Sequence, residues 1–129
     1  MKKYRILYVD DEAANLRIFL NTFRWDFDIT TAISASEALK ILQDQSFDLI
    51  ITDQRMPDIS GVDFLKELIQ DGEKYLDVPT ILISGYSDVN AISIAKKECK
   101  IKRFVHKPWQ PEELKQTILN ILEPEGHEA

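Results

Sequence analysis

The sequence has no run of apolar residues long enough to cross a bilayer as a helix, which takes about 20, so no membrane span is expected within it. It has one cysteine, Cys99, which excludes an internal disulfide and agrees with a reducing compartment. A lone thiol of this kind is expected to be a buried packing group. The sequence also lacks a basic excess: 16 Lys and Arg stand against 22 Asp and Glu, a net charge of −6. That argues against a nucleic-acid surface, which needs clustered cations to displace counterions from phosphates. Lys96, Lys97, Lys100, Lys102 and Arg103 form the one local excess, and it reads as a solvated helix end running into a strand. The opening MKKYRILYVDDE has too short an apolar stretch for a secretory signal, and the expected location is cytoplasmic. Repeats, low-complexity tracts and interdomain linkers are missing too.

What is present is a chain of 129 residues, 44% hydrophobic and 29% charged, which suits one globular domain with a core. Apolar runs at 5–9, 47–52 and 80–83 read as buried strands, with weaker strands at 27–32 and 103–106. Between them lie stripes at helical spacing: Leu16, Phe19, Leu20 and Phe23; Ala35, Ala38, Leu39 and Leu42; Phe64, Leu65 and Leu68; Ala91, Ile92 and Ala95; Leu114, Ile118 and Ile121. Ser34 followed by Glu37 makes a capping box, and Pro111 suits a first helical turn with Glu112 and Glu113 behind it. Five strands alternating with five helices imply parallel strands and helical crossovers. Ligands of such sheets bind beyond the carboxyl ends of the strands.

Those ends carry chemistry. The first strand ends in Asp10 and Asp11, the third in Asp53, the fourth in Ser84 and the fifth in Lys107. Any one of them could cap a helix, but their joint occurrence at one edge points to a site. Three converging carboxylates repel: at a separation near 5 Å and an effective dielectric of 20, each pair costs about 3 kcal/mol. A divalent cation relieves that cost, and hard oxygen ligands that leave room for water and phosphate suit Mg²⁺. A nucleophilic carboxylate beside Mg²⁺, with a lysine and a serine facing the incoming group, is a phosphoryl-transfer arrangement.

The segments LYVDDE, LIITDQRMPDISG, ILISGYSD and FVHKPW, in this order, resemble the response-regulator receiver domains of bacterial two-component systems, the CheY-like family. The resemblance covers residues 4–122 and leaves 123–129 as a loose tail. It implies a flavodoxin-like α/β fold, a doubly wound five-stranded parallel sheet in the order 2-1-3-4-5 with five helices. It implies that Asp53 becomes an aspartyl phosphate, that Asp11 binds Mg²⁺ directly with Asp10 acting through water, and that the backbone carbonyl of Arg55 is a further ligand. Lys107 is then the contact to Asp53 and its phosphoryl group, Ser84 the residue that moves toward it, and Phe104 the coupled aromatic switch. Arg55 and Tyr86, two residues beyond Asp53 and Ser84, fall where the family modulates phosphoryl lifetime. Arg55 either leans over the acidic mouth or stands solvated in its loop.

The implied partners are a sensor histidine kinase or phosphotransfer protein, and an effector, attached output domain or second copy that reads the surface of helix 4, strand 5 and helix 5. The DQRMP, GYSD and KPW wording looks like receivers joined to larger effectors, including transcriptional activators and cyclic-di-GMP hydrolases. The resemblance implies a signalling switch that catalyses its own phosphorylation and dephosphorylation, not a conventional turnover enzyme. A phosphatase of the haloacid-dehalogenase type would carry a second Asp two residues after the nucleophile, where this chain has Arg55. A phosphorylation-independent binding module would have no need of Asp53, Ser84 and Lys107 together. Asp48, Asp58, His106 and Trp109 read as structural: a strand-entry acid away from the active edge, a turn acid, a strand-end histidine and a packing anchor.

Overall fold

The computed structural model describes residues 3–70, 78–85, 88–99 and 101–124. Five strands, β1 (Arg5–Val9), β2 (Asp28–Ala32), β3 (Leu49–Asp53), β4 (Thr80–Ser84) and β5 (Arg103–His106), alternate with α1 (Ala13–Phe23), α2 (Ala35–Asp44), α3 (Gly61–Gln70), α4 (Val89–Glu98) and α5 (Pro111–Leu122). All pairings are parallel and the order is β2-β1-β3-β4-β5, the doubly wound sheet the sequence implied. Among the described residues no helix is long and apolar enough to cross a membrane.

Alternation along the strands divides the core in two. Leu7, Val9, Ile50 and Leu82 face α2, α3 and α4, meeting Leu42, Phe64, Leu65 and Ala95. Ile6, Tyr8, Leu49, Ile51, Ile81 and Ile83 face α1 and α5, meeting Phe19, Phe23, Leu114 and Ile118. Residues that alternate in a strand fall on opposite faces, and burial on both sides explains why these strands read as continuous apolar runs. Each fully buried Leu, Ile or Phe contributes about 1.5–3 kcal/mol.

Strand limits differ from the sequence expectation by a residue or two, because Phe47 and Phe27 are buried before their strands begin and Asp53 and Ser84 extend theirs. Leu20, placed in the apolar stripe of α1, is instead 37% exposed, because Phe19 and Phe23 already fill the contact with the sheet. The capping box at α2 holds in altered form. Ser34 Oγ accepts from Glu37 N at 3.1 Å, but Glu37 accepts from the amide of Ile33 rather than Ser34. Pro111 opens α5. Cys99 is buried, its thiol 3.8 Å from the carbonyl of Val62. Trp109 packs edge-on against Phe19 and tilted against Phe23, anchoring the segment before α5.

Candidate functional site

The carboxyl ends of β1 and β3, the adjacent central strands, put three acids side by side. One carboxylate oxygen from each of Asp10, Asp11 and Asp53 lies within 4.8 Å of the others. Asp10 and Asp53 are buried, at 0% and 2% exposure, and Asp11 is half-buried. So much desolvated negative charge calls for compensation. For Asp53 it comes from the end of β5: Lys107 Nζ stands 2.5 Å from Asp53 Oδ1. The pair is a close, charge-assisted contact between a partly exposed ammonium and a buried carboxylate.

The protonation of the pair follows from its surroundings. Burial pushes the Asp53 carboxyl above its ordinary value; Lys107 pulls it back down, and the charges of Asp10 and Asp11 add to the rise. Burial pulls the Lys107 ammonium down, but the bond to Asp53, with Asp10 and Glu12 behind it, outweighs that and leaves it raised. The lysine is therefore a cation, and Asp53 sits in an environment that resists further negative charge.

Asp10 is held differently. Its Oδ1 accepts from the amide of Glu12 at 3.0 Å, and its Oδ2 accepts from the Tyr8 hydroxyl at 3.0 Å and from Asn15 Nδ2 at 3.2 Å. Tyr8 precedes Asp10 by two residues, so the strand puts both on the α1 side of the sheet. Burial first, then the charge of Asp10, pushes the Tyr8 hydroxyl far above its ordinary value, which keeps it a donor.

The loop after β3 is closed by Gln54. Its carbonyl accepts from Gly61 N and its side-chain oxygen from Val62 N, both at 2.9 Å. Gly61 packs directly on the backbone of Asp53, and a Cβ there would overlap the Asp53 carbonyl oxygen. Asp58, read as a turn residue, also ties this loop to α2, accepting from Ser36 N and Oγ at 3.0 Å each.

Ser84 and Arg55 meet at a residue that sequence reasoning passed over. The Ser84 hydroxyl donates to Asp88 Oδ2 in a short hydrogen bond, and Arg55 pairs with Asp88 Oδ1 at 3.1 Å. The Arg55 guanidinium is thus directed at Asp88, just before α4, and stays largely exposed to water. The Ser84 bond, then Arg55, holds the Asp88 carboxyl below its ordinary value despite partial burial. Phe104, half-buried against the α4 side of the sheet, sits opposite Leu82 on β4 and meets His106 edge-on at 4.4 Å. Tyr86 lies outside the described residues.

The structure therefore brings together Asp10, Asp11, Asp53 and Lys107, and sets Ser84 at the neighbouring strand end on its own acid. Tyr8, Asn15 and Asp88 are the additions. Strand parity could have linked Tyr8 to Asp10, whereas nothing in the spacing marks Asp88 as the partner of both Ser84 and Arg55.

Comparisons with known proteins agree with this fold. The response regulator receiver domain family matches residues 6–119. The hydrogenase transcriptional regulatory protein HoxA of Cupriavidus necator is 36% identical over 125 residues, covering 97% of this chain and 25% of that protein. The chain thus spans about a quarter of the length of this relative. The chemotaxis protein CheY of Pseudomonas aeruginosa is 30% identical over 122 residues, 92% of this chain and 96% of that protein. The receiver domain of an HD domain-containing protein from Pseudomonas fluorescens superposes with a TM-score of 0.87 at 27% identity, covering 96% of this chain and 90% of that one. The sheet order, the acids at its carboxyl edge and these matches lead to one assignment: the chain belongs to the response regulator receiver domain family of two-component signalling.

Proposed function

We propose that Asp53 accepts a phosphoryl group in a Mg²⁺-dependent reaction and that the domain, spanning 4–122, is switched by it. The observation that carries this reading is the buried Asp53–Lys107 pair set against Asp10 and Asp11. The donor set suits the metal: three hard carboxylate oxygens, two of them almost without exposed surface, drawn to within 4.8 Å of one another at a cost only partly offset by Lys107. Asp11, Asp53 and the Arg55 carbonyl would hold the ion, and Asp10, whose Oδ2 is already filled by two donors, would act through water. When bound, the cation supplies charge neutralisation for the phosphoryl oxygens and the nucleophile.

The chain's own residues do the rest. An Asp53 oxygen attacks phosphorus; a new P–O bond forms as the bond to the donor's imidazole nitrogen breaks, and that nitrogen keeps the electron pair. Lys107, already a cation, transfers its contact from the carboxylate to a phosphoryl oxygen. An open cleft of about 520 Å³ beside Asp10 and Lys107, bordered also by Ile18 and Trp109, leaves room for a donor group.

In the unphosphorylated form Ser84 is engaged by Asp88. The new group adds about −1.5 to −2 charges and strong acceptor oxygens, which compete for the Ser84 hydroxyl. Movement of Ser84 toward it, with Phe104 following, alters the α4–β5–α5 surface read by an output partner or a second copy. The donor is a sensor histidine kinase or phosphotransfer protein. The relation to HoxA, a transcriptional regulatory protein several times longer, favours an attached output domain in a cytoplasmic regulator. The acceptor is tested with acetyl phosphate and Mg²⁺: wild type gains one phosphate, and Asp53→Asn gains none. Arg55 and Tyr86 remain the positions proposed to modulate the lifetime of the phosphate.

A further inference from the structure

Asp10 is wholly buried, and among the described residues none of the ion pairs involves it. Its charge is held by three hydrogen bonds, two of which converge on Oδ2 from Tyr8 and Asn15. A carboxylate oxygen has two lone pairs, so Oδ2 is filled and Oδ1, with the Glu12 amide alone, keeps one free. The rotation of the carboxylate is therefore set by the two side-chain donors.

Tyr8 is the more rigid of them. Its ring is 1% exposed and stacks face to face on Phe19, with centroids 4.0 Å apart and planes 2° from parallel. Phe19 in turn packs on Phe23 and Trp109. The hydroxyl is thus fixed by the core between the sheet and α1. An apolar residue there would fill the same core space and leave Asp10 without that donor.

We propose that Tyr8 is a positioning residue for the divalent cation: its hydroxyl fixes the Asp10 carboxylate so that Oδ1, and not Oδ2, is turned to the metal and its water. This rests on the reading that Asp10, Asp11 and Asp53 hold Mg²⁺. Tyr8 itself touches neither metal nor phosphoryl group. Its effect is on how well the acids are preorganised before the cation arrives, a role that the aromatic ring alone cannot fill.

The test is calorimetric titration of MgCl₂ into the whole chain, wild type against Tyr8→Phe, which keeps the stacked ring and removes only the oxygen. The expected result is a Kd for Mg²⁺ raised about tenfold, the lower end of what one hydrogen bond onto a charged group contributes. Labelling by acetyl phosphate should slow more at limiting than at saturating Mg²⁺. Asn15→Ala, which removes the other donor to Oδ2 from half-buried α1, should shift the Kd in the same direction and provides the test if Tyr8→Phe does not fold. A Tyr8→Phe protein that melts earlier but binds Mg²⁺ as wild type does would reduce Tyr8 to packing and overturn the proposal. Wild-type protein that binds no Mg²⁺ would overturn the metal reading itself, a different and separately visible failure.

Discussion

Asp88→Ala removes the short hydrogen bond that engages the Ser84 hydroxyl in the unphosphorylated form. Asp88 accepts the Ser84 hydroxyl on one oxygen and pairs with Arg55 on the other. Its side chain makes no capping bond to α4, so Ala leaves the helix start intact. A hydrogen bond onto a charged group is worth about 1.5–3 kcal/mol. The Arg55 side chain is 70% exposed, so its pair contributes at most about 1 kcal/mol and is screened by salt. Ser84 regains part of the loss by bonding water or the Gly85 carbonyl, now 3.5 Å away, so the lower figure, about 1.5 kcal/mol, is the one to use. That energy stabilises only the unphosphorylated arrangement. Its removal should lower the half-saturating concentration of beryllofluoride about tenfold at fixed Mg²⁺. The same loss should lower the metal-free melting temperature by about 5 °C. Because the Asp88 carboxyl is depressed, its stabilisation is present above its ordinary value near pH ~3.9 and is lost as pH falls through its folded value. The stability gap between wild type and variant should therefore close in acid. Beryllofluoride affinity unchanged, or weakened along with stability, would refute the competition between Asp88 and the phosphoryl group for Ser84.

Three further outcomes follow from the same geometry. Asp53→Asn should raise metal-free stability at neutral pH: at one dielectric the two repulsions removed and the Lys107 attraction lost are of similar size, about 6 kcal/mol, and the cost of burying the charge is what remains to be relieved. Burial raises the Asp53 carboxyl, so the penalty it imposes is present at neutral pH and fades as pH falls through its folded value; thermal melts of wild type and variant should converge below about pH 4. Gly61→Ala forces a Cβ into the Asp53 carbonyl and should cost about 2 kcal/mol in denaturant unfolding while slowing acetyl phosphate labelling; wild-type behaviour in both would mean the loop yields freely. Arg55→Ala should leave labelling of Asp53 intact and shift beryllofluoride affinity far less than Asp88→Ala, as checked by titration, because the pair it breaks is mostly in water.

The fold was legible because the three inner strands, β1, β3 and β4, are buried on both faces and each helix presents a stripe. Ile50 and Ile51, adjacent in sequence and buried on opposite sides, leave little choice but a sheet covered twice. The acids were legible for a related reason. A charged residue directly after an apolar run must sit at a strand end, and parallel strands bring those ends to one edge. What could not be read was the direction of long side chains. Arg55 reaches Asp88 across a separation of 33 residues, a pairing decided by how two loops approach, which periodicity does not encode. Asp58 reaching Ser36 is the same case. Tyr8 lay between: its parity with Asp10 was visible, but an aromatic in an apolar strand reads as core, and it is core as well as donor.

The central claim is that Asp53 is the phosphoryl acceptor, and mass spectrometry of intact protein and of its peptides after incubation with acetyl phosphate and Mg²⁺ tests it directly. One acid- and base-labile phosphate should appear on the peptide that carries Asp53, disappear with EDTA and be missing from Asp53→Asn. Phosphate of equal stoichiometry on the Asn variant, or on a peptide without Asp53, would contradict it.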